Sequence, residues 1–254
     1  MKSGRTLAVV IAVSTYGESD KIVTFYSKDN GRMAGIAKGA QRSMKRFVNK
    51  LELFTALEIL YTNSRNSSLV MIDQAELTNH FPLIRCNYNR FTAAALISEL
   101  ILHWTRENDP DERIFELLIW ALTSLEDTRR PANWIVILFN IKLFTLLGYH
   151  TNLDGCSECG TLTPEDSPYR FSSVSNSLIC NRCSKSSHNG GQHPGQIFSL
   201  STARFLQKAQ EMPLNKLGRL HFTPAVVNEA LTMLKNYGSS ILQRDVSSWD
   251  FLVK

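Results

Sequence analysis

The sequence lacks the motifs on which nucleotide hydrolysis and the common hydrolytic chemistries depend. It has no G-x-x-x-x-G-K-[ST] phosphate loop, no H-E-x-x-H, no G-x-S-x-G and no G-x-G-x-x-G. Each of these places backbone amides, a metal or an activated nucleophile where a reaction needs it. The H-x-E…P-C-x-x-C signature of zinc deaminases is also missing. Asp109, Asp111 and Glu112 cluster where a helix is expected to start, and acids there favour the helix dipole. The expectation is a binding protein with no catalytic residues, not an enzyme. Long apolar runs are missing too. The most apolar stretch, Trp134 to Leu147, is interrupted by Asn140, Lys142 and Thr145. It is shorter than the roughly 20 residues a membrane span needs. The opening MKSGRTLAVVIAVSTYGESD alternates apolar with small polar residues and shows no cleavage-like site, so no signal peptide is expected. These absences make a cytoplasmic protein the default. No internal repeat is present.

Cysteine is scarce, with five in 254 residues. An odd count argues against a disulfide framework, and paired C-x-x-C hooks in a reducing cytoplasm point to metal ligands. Four of the five form the pattern Cys156-x2-Cys159-x20-Cys180-x2-Cys183. Two such hooks, each followed by a tight turn, present four thiolates at the corners of a tetrahedron, which suits zinc at about 2.3 Å per bond. A single iron fits the same cage, because the donor set alone does not separate the two metals. Four sulfurs leave no open position for an activated water, so the site is structural, with one ion per chain. Its expected task is to fold a segment of about 45 residues that is poor in apolar groups. Arg170, Phe171, Arg182 and Lys185 lie between and beside the hooks and give the alternative of a ribbon that touches nucleic acid. His188 and His193 read as loop residues, and His103 and His150 as capping or packing residues near helix ends. Cys86 stands alone and reads as a small buried or half-buried side chain.

Acidic residues are absent from Arg32 to Leu51, although that stretch holds Arg32, Lys38, Arg42, Lys45, Arg46 and Lys50. Residues 1–50 carry ten Lys/Arg against three acids, whereas the other 204 residues carry 18 against 20. The whole basic excess of the chain therefore sits in its first fifth, as expected of a module that binds a polyanion. A solvated basic face is the plainer alternative. Gly39 and Ser43 make KGAQRSMKRFVNK loop-like, and such a loop can track a phosphate backbone with release of counterions. Phe25, Tyr26 and Phe47 lie nearby. Phe25 reads as core, while Tyr26 and Phe47 read equally as core or as platforms for bases.

Residues 5–80 read as five strands: Arg5–Ser14, Lys21–Ser27, Arg32–Ala37, Phe54–Thr62 and Ser68–Glu76. The second alternates, with Ile22, Thr24 and Tyr26 on one side and Val23 and Phe25 on the other. Asn30-Gly31 suits a two-residue hairpin turn. Five short strands without an intervening helix predict a small closed barrel, of which the OB-fold is the commonest nucleic-acid-binding example. From residue 80 the period changes to that of helices. Helices are expected over Asn89–Trp104, Arg113–Leu125 and Pro131–Leu147, the last apolar nearly all round and so central to a bundle. Helical pattern returns at Ser201–Met212, with Ser201 as N-cap, and after Thr223-Pro224. The expected fold is therefore α+β and multidomain: an OB-fold over 1–80, a helical domain over 81–150 and 197–254, and a four-cysteine zinc module inserted over 151–196.

Four passages, YGESDKIVTFYSKDNGRMAGIAKGA (16–40), KLFTLLGYHTNLDGCSECG (142–160), LICNRC (178–183) and LGRLHFTP (217–224), are spread over nearly the whole chain. With them the chain resembles the RecO family of bacterial DNA repair proteins. The resemblance implies an N-terminal OB-fold, a helical domain and an inserted zinc module. It implies binding of single- and double-stranded DNA, annealing of complementary strands, and action with RecR, often with RecF, in loading RecA onto strands coated by single-strand-binding protein. It implies no nucleotide-hydrolysing site and a place near the nucleoid. The family's basic loop falls on Lys38, Arg42, Lys45 and Arg46. Lys21, Arg32 and Lys50 complete the candidate DNA-binding set. Family members also bind the acidic tail of single-strand-binding protein on the helical domain, for which Arg129 and Arg130 are the candidates here. The rivals are a zinc-ribbon scaffold that binds only protein, and a nuclease or other DNA-processing enzyme.

Overall fold

A computed structural model describes residues 3–43, 46–64, 67–161, 169–173, 175–186 and 196–252. The chain divides into two compact units, Met1–Ala132 and Asn133–Lys254.

The first unit begins with five strands, β1 (Ser3–Tyr16), β2 (Asp20–Ser27), β3 (Gly31–Ala37), β4 (Ala56–Thr62) and β5 (Val70–Asn79). They close into a barrel in the order β1-β2-β3-β5-β4. β1 runs antiparallel to both β2 and β4, and the parallel β3–β5 pair completes the ring. This is the five-stranded closed barrel expected of an OB-fold. Alternation decides which side of each strand faces in. Val23, Phe25, Met33, Leu57, Ile59 and Ile72 fill the centre with relative exposures of 5% or less. A register shift between Val10 and Ala12 bends β1 so that it serves two neighbours. Gly35 stands where β3 meets β5: a Cβ there would lie 2.8 Å from Ile72 Cγ1 and 3.0 Å from Val70 Cγ2, so the seam needs glycine. The β2–β3 connection holds three residues, with Ser27 paired to Gly31, and the left-handed φ of 67° falls on Gly31. It is thus one residue longer than the two-residue turn that Asn-Gly suggests. The aromatic rings are buried: Phe25, Tyr26 and Phe47 are all at or below 4% exposure.

Three helices follow in this unit, α1 (Pro82–Cys86), α2 (Tyr88–Trp104) and α3 (Glu112–Glu126). The Asn87 side chain accepts from the Arg90 amide at 3.2 Å and Asp111 from the Arg113 amide at 2.9 Å, so each long helix has its N-cap. Asp111 and Glu112 thus stand at the positive end of α3, as expected of acids that favour the helix dipole, and Glu112 also meets Lys28 at 2.8 Å. Buried Arg90 closes the other end of α3, donating to the carbonyls of Leu125, Asp127 and Arg130. Arg85 on α1 reaches the barrel, donating to Leu53 O and to Thr55 Oγ1. Cys86 is exposed, contrary to the burial expected of it. It ends a five-residue helix in which Ile84 alone is buried.

The second unit contains α4 (Ala132–Leu146), four short strands β6 (Asn152–Cys156), β7 (Tyr169–Ser172), β8 (Ser177–Cys180) and β9 (Gln196–Phe198), and helices α5 (Asn181–Ser186), α6 (Leu200–Glu211), α7 (Pro224–Leu242) and α8 (Trp249–Leu252). α4 is buried without a break from Ile135 to Ile141, as an all-round apolar helix must be. The N-cap of α6 is Ser199, not Ser201: Ser199 Oγ accepts from the Thr202 amide at 3.3 Å. The earlier start brings Leu200 into the core at 3% exposure and leaves Ser201 exposed. Thr223 caps α7 and Pro224 opens it, with Val227, Leu231, Leu234 and Tyr237 buried along one face. Among the described residues no helix is long and apolar enough to cross a membrane.

Candidate metal centre and nucleic-acid face

The cysteine segment, which shows no periodicity in sequence, forms a four-stranded sheet in the order β6-β8-β7-β9. Strands of three to five residues are too short to leave a periodic signal. The sheet places the hooks. Cys156 ends β6, Cys180 ends β8, and Cys183 lies one turn into α5. The first hook is closed by the Gly160 amide donating to Cys156 O at 2.8 Å, with Gly160 left-handed at φ 68°. Two further amides point at sulfur: Cys180 N donates to Cys156 Sγ at 3.3 Å and Cys183 N to Cys180 Sγ at 3.4 Å. All four Sγ atoms lie within 4.8 Å of one another, and Cys159 and Cys180 are 3.9 Å apart. A tetrahedral ion with bonds of about 2.3 Å needs sulfurs about 3.8 Å apart, so the four residues fit a metal. Thr161, through its hydroxyl and amide, and then Cys156 lower the Cys159 thiol to about 6, while the hydrogen bond with Cys180 and burial push Cys183 up. Negative charge on one sulfur thus opposes charge on the next. A cation held between Cys159 and Cys183 would relieve that opposition.

The sheet is not held by sulfur alone. Tyr169, Leu178 and Ile179 are buried, and Phe171 packs edge-on against Tyr237 of α7, with ring centroids 5.4 Å apart. Both ends of the segment are pinned. At its entry, Gln210 of α6 accepts from Thr151 N and Thr151 Oγ1 and donates to Thr151 O. Lys142 donates to Gln210 O at 2.5 Å, and burial lowers its pKa. At its exit, the Glu229 carboxylate accepts from both the amide and the hydroxyl of Ser199. Burial acts to raise the Glu229 carboxyl, but the bonds from Ser199 and Thr202 outweigh it and hold the group below its usual value. Phe171 is therefore a packing residue rather than a base platform. Arg182 is exposed and interacts with Cys159, which raises its pKa; Lys185 is exposed and Arg170 half-buried. His150 is exposed and its carbonyl accepts from Asn176. His103 lies 3.6 Å from Glu99, one turn away. His188 and His193 lie outside the described residues.

On the barrel, six of the seven basic candidates are among the described residues, and they fall into two groups. Lys21, Arg32 and Lys50 are the half-buried ones, with side-chain exposures of 22–23%. Lys21 meets Glu52 at 2.9 Å, Arg32 meets Glu107 at 4.0 Å, and Lys50 donates to Ala75 O at 2.8 Å with Glu76 at 3.6 Å. Lys38, Arg42 and Arg46 are exposed on the loop after β3. Arg46 donates to Lys38 O at 2.6 Å and covers the buried Phe47 ring at 4.4 Å, so the aromatic here supports a cation rather than a base. Arg42 faces Glu18 at 3.5 Å, with both side chains over 70% exposed. Lys45 lies outside the described residues. Tyr26 is covered by the segment before α3, with its hydroxyl 3.3 Å from both Asp111 O and Asp111 N. Burial pushes that phenol up to about 12. Arg129 forms a double contact with Asp127, the shortest 2.7 Å, while Arg130 offers its carbonyl to Arg90.

Residues 1–81 match the family model described as Recombination protein O N terminal, and residues 85–250 match Recombination protein O C terminal. The chain belongs to the RecO family. Proteins named DNA repair protein RecO are similar to it over most of their length. The one from Syntrophus aciditrophicus (strain SB) is 29% identical over 244 residues, covering 96% of this chain and 93% of that protein. The one from Pelotomaculum thermopropionicum is 30% identical over 253 residues, covering 99% and 94%. In Rubrobacter xylanophilus the identity is 35% over 179 residues, 70% of this chain and 71% of that protein. Membership assigns this RecO-family chain to DNA repair and recombination. The structure adds the four-cysteine cage and separates the exposed cations of the barrel from the half-buried ones.

Proposed function

We propose that this chain is a recombination mediator that binds single- and double-stranded DNA, anneals complementary strands, and acts with RecR to load RecA onto strands coated by single-strand-binding protein. The observation that carries this reading is the loop after β3, which exposes Lys38, Arg42 and Arg46 on a five-stranded barrel in a RecO-family chain. Lys45, in the same loop, belongs to the proposed set. Cations on such a loop neutralise phosphates on two strands and lower their mutual repulsion. Base pairing then supplies sequence matching, so the protein needs no contacts to base edges. The chain does this without hydrolysing anything and works in the cytoplasm at the nucleoid. RecF joins the same pathway, and the acidic tail of single-strand-binding protein binds the helical part. The four cysteines hold one zinc ion as a scaffold.

The test is annealing of two complementary oligonucleotides coated with single-strand-binding protein, with and without this chain and without ATP. Acceleration supports the reading. Acceleration of bare strands only keeps the DNA function and removes partner recognition. No acceleration on either substrate overturns the proposal and favours a scaffold that binds only protein.

A further inference from the structure

The aromatic residues closest in sequence to the basic loop are buried, which leaves the barrel's means of holding a base unassigned. Among the described residues of the five strands, one large aromatic is exposed: Tyr16, at 55%, the last residue of β1. Its position in the register is informative. Tyr16 pairs with Asp20, Ser14 with Ile22 and Ala12 with Thr24 across β1–β2, and Ile22 and Thr24 pair in turn with Ile36 and Ala34 of β3. Side chains alternate along a strand, and Val13, Val23 and Met33 belong to the core. Tyr16 therefore shares the opposite face with Ser14, Ile22, Thr24, Ala34 and Ile36. Those five side chains are uncharged and all are exposed or half-buried, and the Asp20 carboxylate lies beside the ring as its cross-strand partner. Its far end is covered by the chain itself, where Tyr26 meets Asp111 and Arg32 meets Glu107. Its open end is the β1–β2 turn.

That turn is tied to the basic loop. Gly39 N donates to Asp20 Oδ1 at 2.8 Å, Gln41 N to Ser19 O at 2.9 Å and Gln41 Nε2 to Asp20 O at 2.9 Å, and Arg42 faces Glu18. The strand partner of Tyr16 is thus the residue that anchors the loop. An exposed ring, a floor of small and apolar side chains and the exposed cations Lys38, Arg42 and Arg46 come together at one end of the barrel. Single-stranded nucleic acid asks for that combination: cations for the backbone and a π-face for an unstacked base.

We propose that Tyr16 stacks on a base of single-stranded DNA held by Lys38, Arg42 and Arg46, and that it gives the site its preference for single strands over duplex. The proposal rests on the DNA-binding reading above. A paired base inside a duplex has both faces covered by its neighbours, so the ring gains nothing there. The contact releases no counterion, so it adds affinity without adding to the salt slope.

The test uses the full-length, metal-loaded chain, with Tyr16→Ala, Tyr16→Phe and a Lys38→Ala/Arg42→Ala/Arg46→Ala variant. The probes are an oligodeoxythymidylate carrying one 2-aminopurine and a blunt duplex of the same length. Tyr16→Ala is expected to lose roughly tenfold in affinity for the single strand, to leave the 2-aminopurine unquenched, and to change duplex binding by less than about twofold. Its salt slope stays that of the unaltered chain. Tyr16→Phe keeps the ring and restores single-strand affinity. Equal losses on both probes, or none on either, overturn the stacking role. The triple variant separates the two claims: if it binds weakly while Tyr16→Ala binds normally, the stacking proposal fails and the basic site stands. If neither variant changes binding, both the stacking role and the loop assignment fail; if the unaltered chain binds neither probe, the DNA-binding reading fails with them.

Discussion

Removing the charges of Lys38, Arg42 and Arg46 together tests how many of the barrel's cations face DNA. Sequence alone offers seven basic residues. Each phosphate neutralised on a single strand adds about 0.7 to the slope of log affinity against log salt, so seven contacts predict a slope near 5. The structure reduces that number. Lys21, Arg32 and Lys50 are half-buried beside Glu52, Glu107 and Glu76, and Lys50 also donates to a backbone carbonyl. A half-buried cation held beside a carboxylate has few counterions to release, whereas Arg42 meets Glu18 with both side chains over 70% exposed and can exchange that carboxylate for a phosphate. The exposed trio accounts for a slope of about 2, with Lys45 adding a further ~0.7 if it also faces the strand. The triple alanine variant should therefore flatten the slope by about 2. Between 50 and 200 mM salt, its loss of affinity should be roughly twentyfold smaller than that of the unaltered chain. Fluorescence anisotropy with a labelled oligodeoxythymidylate, titrated at four salt concentrations, reads the slope directly. An unchanged slope refutes the reasoning. So does a flattening of similar size in a Lys21→Ala/Arg32→Ala/Lys50→Ala variant that stays folded, because ion pairing would then not have removed those residues from the count.

Chelation should extract one metal ion per chain and melt the β6–β9 sheet while α6 and α7 stay helical, since Phe171 and Gln210 tie the sheet to helices with a core of their own; a full loss of helical circular dichroism would show that the ion holds the whole unit. Gly31→Ala should destabilise the first unit by about 2 kcal/mol or more, because the residue is left-handed and its new Cβ would stand 2.3 Å from Asp109 O; an unchanged urea midpoint contradicts this. Asn140→Leu should raise stability by about 1–2 kcal/mol, since the Asn140 amide is fully buried in α4 and neither its nitrogen nor its oxygen has a protein partner; thermal denaturation measures the sign.

The readings that held rest on local signals. Alternation in KIVTFYS survives because β2 has one dry face and one partly wet face. The cysteine hooks are legible because a four-sulfur cage is specified by two short spacings. Thr223-Pro224 announces α7 because a cap acts within three residues. What local signals leave open involves partners far along the chain. Nothing near Tyr26 says that residues 109–111 will cover it, and nothing near Lys21 or Lys50 announces Glu52 or Glu76. The small sheet was hidden for another reason. Its strands are too short for a period, and β6 finds β8 across more than 20 residues. α6 begins one turn-position before its apparent cap because burial of Leu200 outweighs a choice between two nearby serines.

The barrel's closure is uneven around its circumference. β1 and β2 are registered over eight pairs, whereas β3 and β5 share two, Gly35–Val70 and Ile36–Met71. A ring whose last joint has so few rungs opens there first, and local opening of this kind is what amide hydrogen exchange reports. The cationic loop leaves β3 directly beyond that joint. A strand of DNA lying across the loop and the β2–β3 face would act as a splint, so protection gained at Ile36 and Ala37 on binding would register occupancy of the site without any probe attached to the nucleic acid.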